Sequence, residues 1–292
     1  MDWQAITSVD YWSKLNPHLT ISQGQDGATG PQWPADEAFA AALPQRLVHD
    51  GYFKMPDVLA PADVAPLVLA METLREGGWL PAFIYVYDEA WQVFGRVRQA
   101  LSLALGDGYR QMPSMWAWYV EVSDGAGGWR QHRDRGPESL RRDLSPTAMT
   151  VWVALTDATP DNGCMYVVPA HRDPDYRRGG LSDAKLQDVR ALPVPAGTAL
   201  AWTHALAHWG GRSSDFASGP RLSLSIEFQA DDVPAWEAPL LDPTALPSFE
   251  QRIALICKGM LQYRHMHLER FTEGDVEMAE RLRDEGLPLP LA

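Results

Sequence analysis

The chain has 292 residues, a formal net charge of −13 and a hydrophobic content of 46%. This length and apolar content predict a globular protein with a sizeable core. The acidic balance argues against nucleic acid as a partner, because binding to phosphates needs a basic face, and it also disfavours an anionic membrane surface.

Neither secretion nor membrane insertion is predicted. The two cysteines, Cys164 and Cys257, are too few for a disulfide framework. The first residues have no basic region followed by an apolar stretch, as a secretory signal would. No stretch approaches the ~20 apolar residues that a transmembrane helix needs. We therefore expect a cytoplasmic protein, and we make no prediction of its oligomeric state.

The first part of the chain is predicted to be helical. Residues 38–50, 64–74 and 88–105 carry apolar side chains at helical spacing, and glycine follows each run closely. The middle is rich in aromatic and β-branched residues and is predicted to form short strands. These strands are expected at residues 115–122, 150–155, 165–168, 199–203 and 222–228.

Short strands without intervening helices predict an antiparallel sandwich or barrel. The tail is helical again, including a helix over residues 249–271. We expect one domain over residues 1–292, with a β core at about 112–230 and helical flanks at about 38–106 and 244–286. The polar stretch 172–195 is predicted to be a long loop that closes over a pocket together with the C-terminal helices.

Two histidines and one carboxylate suggest a metal site. His132 and Asp134 are two residues apart, so on an extended strand their side chains share a face. His208 lies downstream in a strand-like context. His204 competes with it as the distal ligand; we favour His208, because the return strand from Arg221 then lies at a hairpin-like distance. Two histidines and one carboxylate are the ligands of non-heme Fe(II) oxygenases.

Arg221 suits a dicarboxylate cosubstrate, because its planar fork matches a carboxylate with two hydrogen bonds. Ser223 follows two residues later and is expected on the same strand face. Arg221 is therefore predicted to hold the far end of such a cosubstrate, with help from the Ser223 hydroxyl.

Several motifs together resemble the phytanoyl-CoA dioxygenase-like branch of the Fe(II)/2-oxoglutarate oxygenases, over roughly residues 45–230. They are Gly51-Tyr52-Phe53, the segments 128–134 and 151–157, Asn162-Gly163-Cys164-Met165, Val168-Pro169, His208 and Arg221. The resemblance implies a double-stranded β-helix (a cupin-like jelly roll) that is mainly β with flanking helices. It also implies Fe(II), 2-oxoglutarate and O2, with Trp152 near the cosubstrate.

The resemblance implies oxidation of an unactivated C–H bond in a small molecule, such as one of secondary metabolism, with release of succinate and CO2. Hydroxylation, desaturation, ring closure and epimerisation stay open, whereas halogenation is disfavoured because chlorinating relatives lack the carboxylate ligand. Trp118, Trp202 and Arg212 are predicted to contact the substrate. Arg130, Arg135 and Arg212 flank the metal ligands and are candidates to hold an anionic substrate. The alternatives are a cupin-like metal-dependent isomerase or hydrolase and a non-catalytic β-sandwich binding module.

Overall fold

The computed structural model describes residues 1–22, 31–182, 184–266 and 271–287. Within these ranges the strands form two antiparallel sheets, a larger one in the order β1-β6-β3-β8-β2 and a smaller one in the order β5-β4-β7. The strands are β1 (Tyr52–Met55), β2 (Arg110–Val120), β3 (Ala148–Ala154), β4 (Met165–Val168), β5 (Arg190–Leu192), β6 (Ala199–Thr203), β7 (Ala207–Gly210) and β8 (Arg221–Gln229).

Helices precede and follow this β core. They are α1 (Trp3–Ile6), α2 (Val9–Leu15), α3 (Glu37–His49), α4 (Pro61–Glu76), α5 (Asp88–Gly95), α6 (Arg98–Leu105), α7 (Phe249–Gln262) and α8 (Glu273–Gly286). None of the helices in the described part of the chain has both the length and the apolarity needed to cross a bilayer.

Side-chain capping explains several helix starts. The Asp36 side chain accepts a hydrogen bond from the backbone N–H of Phe39, and Ser248 with Gln251 forms a reciprocal capping box at α7. The helix predicted over residues 88–105 is two helices, because the first ends at Gly95, a poor helix former. The helix predicted over residues 249–271 ends earlier, at Gln262.

The larger sheet is buried on both faces, and alternation along its strands divides the side chains between two clusters. On β3, Val151 and Val153 pack with the helices, whereas Trp152 and Ala154 pack towards the smaller sheet. The second cluster therefore lies between the two sheets. Strand β1, which pairs with β6 at the edge of the larger sheet, was not predicted from the sequence.

Candidate active site

Three side chains converge between the two sheets. One nitrogen or oxygen atom from each of His132, Asp134 and His208 lies within 4.8 Å of the others. The Nε2 atoms of the two histidines are each 3.6 Å from Oδ1 of Asp134. An antiparallel bridge fixes this arrangement, because the backbones of His132 and His208 exchange N–H···O hydrogen bonds of 3.0 and 2.9 Å.

Backbone carbonyls orient both histidine rings. Nδ1 of His132 lies 2.8 Å from the carbonyl oxygen of Arg130, and Nδ1 of His208 lies 3.0 Å from that of Leu206. A neutral ring that donates through Nδ1 keeps a lone pair on Nε2. Burial lowers the pKa of His208 to about 4, so its ring is neutral near pH 7. Among the described residues, the buried Nε2 of His132 has no hydrogen-bond partner.

The two oxygens of Asp134 have different surroundings. Oδ2 accepts hydrogen bonds from Thr150 Oγ1 at 2.6 Å and from Trp202 Nε1 at 3.0 Å, whereas Oδ1 faces the two histidines. Burial opposes ionisation, but the neighbouring histidines hold the pKa of the Asp134 carboxyl well below its ordinary value. The group therefore presents two imidazole nitrogens and one carboxylate oxygen to a common point, as a metal site requires.

A second polar group surrounds Arg221, which is 1% exposed. Its Nη1 donates to Ser223 Oγ at 3.1 Å, and its guanidinium carbon lies 5.7 Å from the centre of the Trp152 ring. Burial lowers its pKa to about 10, so it stays charged at neutral pH. The buried Nε of Arg221 and Nε1 of Trp152 have no partner among the described residues. Unsatisfied buried donors are rare, so these two atoms suggest an anionic ligand.

Two glycines make room beside Arg221. A Cβ atom added to Gly128 or to Gly210 would lie 3.3 Å from Nη2 of Arg221. Both glycines line the same cavity as the metal-binding candidates. A larger residue at either position would therefore crowd the guanidinium.

Aromatic side chains form much of the cavity wall. Trp116 and Trp118 come from β2, Trp129 precedes His132, and Tyr263 follows α7. Edge-to-face contacts of 4.5 to 5.5 Å between ring centres join Trp129 to Tyr263, Trp116 to Tyr263, and Trp118 to Trp129. Trp152 and Trp202 also line the cavity.

The structure does not bring every predicted residue to this cavity. Arg212 and Arg130 are exposed and lie outside its lining. Arg135 is half-buried, with its guanidinium over the Trp236 ring at 5.1 Å. His204 is fully buried outside the metal-binding group, and burial lowers its pKa to about 4.

The loop at 172–195, in which Asp183 lies outside the described residues, does not line the cavity among its described residues. Its first part packs behind the site, where Arg133 forms an ion pair with Asp173 at 2.8 Å and donates to Gly180 O. Closure of this loop over a bound substrate stays a prediction. The C-terminal segment does reach the cavity, through Tyr263.

The cavity lining includes polar residues that were not predicted from the sequence, namely Ser114, Thr150, Ser225 and Glu227. Burial, followed by the negative charge of Asp134, raises the pKa of Glu227 to about 8. A signal for Glu227 was present, since alternation from Arg221 through Ser223 and Ser225 leads to it on the same strand face. Thr150 is placed by the pairing of β3 with β6, which the local sequence does not reveal.

A second group of potential ligand atoms lies at the surface. His49, Asp50 and His171 bring such atoms within 4.8 Å of one another. Both ring nitrogens of His171 are already engaged, because Nδ1 lies 3.0 Å from the carbonyl oxygen of His49 and Nε2 accepts from Arg172. This group is therefore poorly prepared for a metal.

A sequence profile described as phytanoyl-CoA dioxygenase matches residues 47–218, more than half of the chain. The chain belongs to the phytanoyl-CoA dioxygenase family. The predicted jelly-roll fold and the prediction of a 2-oxoglutarate-dependent non-heme iron enzyme using Fe(II), 2-oxoglutarate and O2 are confirmed at this level.

Solved structures share the fold. The non-heme monooxygenase ThoJ, as its nickel complex, superposes with a TM-score of 0.54 at 23% identity, covering 69% of this chain and 83% of its own. EctD from S. alaskensis gives 0.52 at 18% identity, covering 78% and 93%. The epimerase SnoN with Fe3+, α-ketoglutarate and nogalamycin RO gives 0.50 at 21%, covering 72% and 95%.

Proposed function

We propose that this protein is a dioxygenase that hydroxylates an unactivated C–H bond of a small molecule, with Fe(II) held by His132, Asp134 and His208. The convergence of their three ligand atoms within 4.8 Å carries the proposal. Both Nδ1 atoms and Oδ2 of Asp134 are already engaged, so the atoms left for a metal are the ones that converge. Such outer hydrogen bonds orient metal ligands in proteins.

Arg221 would hold the far carboxylate of 2-oxoglutarate, with Ser223 fixing the guanidinium. The pairing would satisfy the partnerless Nε atom, and Trp152 Nε1 offers a further donor in the same place. A buried arginine without a carboxylate partner is costly unless a ligand supplies one.

Ferrous iron, 2-oxoglutarate and O2 together supply an oxidant able to attack an unactivated C–H bond, with release of succinate and CO2. The chain's own part is to hold three ligand atoms on one side of the ion and leave its other side towards the cavity. The aromatic wall of Trp116, Trp118, Trp129 and Tyr263 would exclude water and position the substrate.

The proposal is tested by following succinate formation from 2-oxoglutarate with Fe(II), ascorbate and O2, together with Mn(II) binding measured by calorimetry. We expect Mn(II) binding that depends on His132, Asp134 and His208, and slow succinate release even without substrate. Metal binding without 2-oxoglutarate turnover would favour a cupin-like isomerase or hydrolase. Failure to bind metal would favour a non-catalytic binding module.

A further inference from the structure

One face of strand β8 is a polar stripe. Leu222, Leu224, Ile226 and Phe228 pack with the helices, so the intervening residues face the cavity side. From the cosubstrate end, these residues are Arg221, Ser223, Ser225 and Glu227. Arg221, Ser225 and Glu227 line the cavity. The cavity thus has a cation at one end of β8 and a carboxylate at the other.

The Glu227 carboxylate makes no hydrogen bond among the described residues. The only basic side chain within 4.0 Å among the described residues is His204, whose Nε2 lies 3.7 Å away, and burial lowers the pKa of His204 to about 4, so that ring is neutral near pH 7. Arg135 acts on Glu227 only through its charge, since its guanidinium stacks over Trp236. The Glu227 carboxyl group, which is 19% exposed and lines the cavity, therefore lacks a cationic partner in contact. Burial and the charge of Asp134 raise its pKa, and a cation bound beside it would offset both effects and favour the ionised carboxylate.

The neighbouring carboxylate of Glu237, unlike that of Glu227, has both a cationic and a hydrogen-bonding partner. It forms an ion pair with Lys258 at 2.8 Å and accepts a hydrogen bond from Ser114. Lys258 is therefore already paired with Glu237, and it acts on Glu227 only through its charge. Among the described residues that line the cavity, the only lysine or arginine is Arg221, which the proposed function assigns to 2-oxoglutarate.

The wall around Glu227 also suits a positive charge. Trp116, Trp118, Trp129 and Tyr263 line the same cavity. Aromatic faces attract organic cations, and the attraction strengthens when the cation is removed from water. An anionic group would instead meet the Glu227 carboxylate and electron-rich rings.

We propose that the substrate is an organic cation, such as a protonated amine, and that Glu227 binds its positive group and determines this specificity. The proposal rests on the proposed function, because it takes Arg221 as occupied by 2-oxoglutarate. It replaces the expectation from the sequence that arginines around the metal ligands hold an anionic substrate, since Arg130 and Arg212 are exposed and outside the cavity.

The test uses the full chain loaded with Mn(II) and 2-oxoglutarate, and measures binding of matched probes by calorimetry. Each probe is a set of three: an amine from methylamine to tryptamine, its N-acetyl derivative and the corresponding carboxylate. We expect wild-type protein to bind amines best. Glu227→Gln should lose at least ~30-fold in affinity for the best amine, because truncating one partner of a buried charge pair costs about 2 kcal/mol or more.

Two controls make the result decisive. Glu121→Gln, at an exposed carboxylate outside the cavity, should keep the wild-type preference. Mn(II) binding and 2-oxoglutarate binding are measured first, in the wild type and in every variant. If the wild-type protein fails to bind either of them, the proposed function itself is wrong. If both cofactors bind but no amine does, if carboxylates bind equally well, or if Glu227→Gln keeps the preference, the inference about the substrate is wrong.

Discussion

The indole Nε1 of Trp202 donates a 3.0 Å hydrogen bond to Oδ2 of Asp134. Trp202 also lines the cavity, so one side chain contacts both the candidate metal ligand and the expected substrate space. Its ring lies 4.6 Å from that of His208. Trp202 was predicted from the sequence only as a pocket wall, and its position adds the orientation of a ligand to that role.

Trp202→Phe should therefore weaken metal binding while keeping an aromatic wall. Removing an outer hydrogen bond to a metal ligand typically costs roughly 10- to 100-fold in affinity. Mn(II) titration by calorimetry measures the effect. Trp33→Phe is the matched control, because the Trp33 indole donates to Pro56 O away from the cavity. Equal affinities in the two variants would show that the bond to Asp134 does not orient the ligand.

His208→Leu should abolish Mn(II) binding and succinate formation, whereas His204→Leu should retain metal binding. Both side chains are buried, so the two substitutions are comparable in burial. Only His208 brings its Nε2 to the converging group; the Nε2 of His204 faces Glu227 instead. Retained binding in His208→Leu with loss in His204→Leu would reverse the assignment of the distal ligand.

Arg221→Ala should raise the KM for 2-oxoglutarate by on the order of a hundredfold or more. Each charge-assisted hydrogen bond contributes roughly 1.5–3 kcal/mol, and ~1.4 kcal/mol corresponds to a factor of ten. Arg212→Ala provides the control, since this exposed arginine lies outside the cavity lining. An unchanged KM in a folded Arg221→Ala enzyme would remove Arg221 from the cosubstrate site.

Gly210→Ala should impair 2-oxoglutarate binding with little effect on Mn(II) binding, because the new Cβ would lie 3.3 Å from Nη2 of Arg221. Gly219→Ala is a suitable control, since an added Cβ there meets no atom within 4 Å. Calorimetry with each ligand separates the two effects. A parallel loss of metal affinity would point instead to a general disturbance of β7.

Arg252→Met should lower the free energy of unfolding by about 3–5 kcal/mol, because it leaves the buried carboxylate of Asp88 without its cationic partner. Arg252 is fully buried, pairs with Asp88 at 2.5 Å, and donates to the carbonyls of Val86 and Pro247. Urea unfolding measures the loss. Lys14→Met, which breaks the exposed pair with Asp10, should cost no more than about 1 kcal/mol. Similar losses in both variants would contradict the role of burial.

The metal-binding candidates were predictable because a spacing of two residues would place His132 and Asp134 on one face of an extended strand. In the structure their side chains do converge, although only His132 forms a β-bridge and Asp134 lies in a bend. The same alternation, continued from Arg221, could have revealed Glu227. Arg212 shows where alternation fails as a guide. Arg212 is four residues after His208, so in a continuous strand the two side chains would share a face. Strand β7 ends at Gly210, however, and the chain leaves the sheet before it reaches Arg212.

Pairings across the sheet were beyond the local sequence. Thr150 reaches Asp134 because β3 pairs with β6 on one side and with β8 on the other, and no short motif encodes that neighbourhood. Tyr263 reaches the cavity because α7 packs against β2. The apolar periodicity of the tail predicted a helix, but it did not predict that the residue after this helix would line the cavity.

Because Arg221 and Glu227 stand on one strand, six residues apart, their backbones are separated by a rigid span of roughly 20 Å. Strand β8 thus fixes the distance between the two charged residues. If the proposed cationic substrate is anchored at Glu227, it would present a carbon at a set distance along the strand, and that distance would select the carbon that is oxidised. Moving the carboxylate to the Ser225 position would shift the anchor by roughly 7 Å. The regiochemistry of this enzyme would thus be encoded in the residue spacing of one strand, apart from the residues that hold the metal.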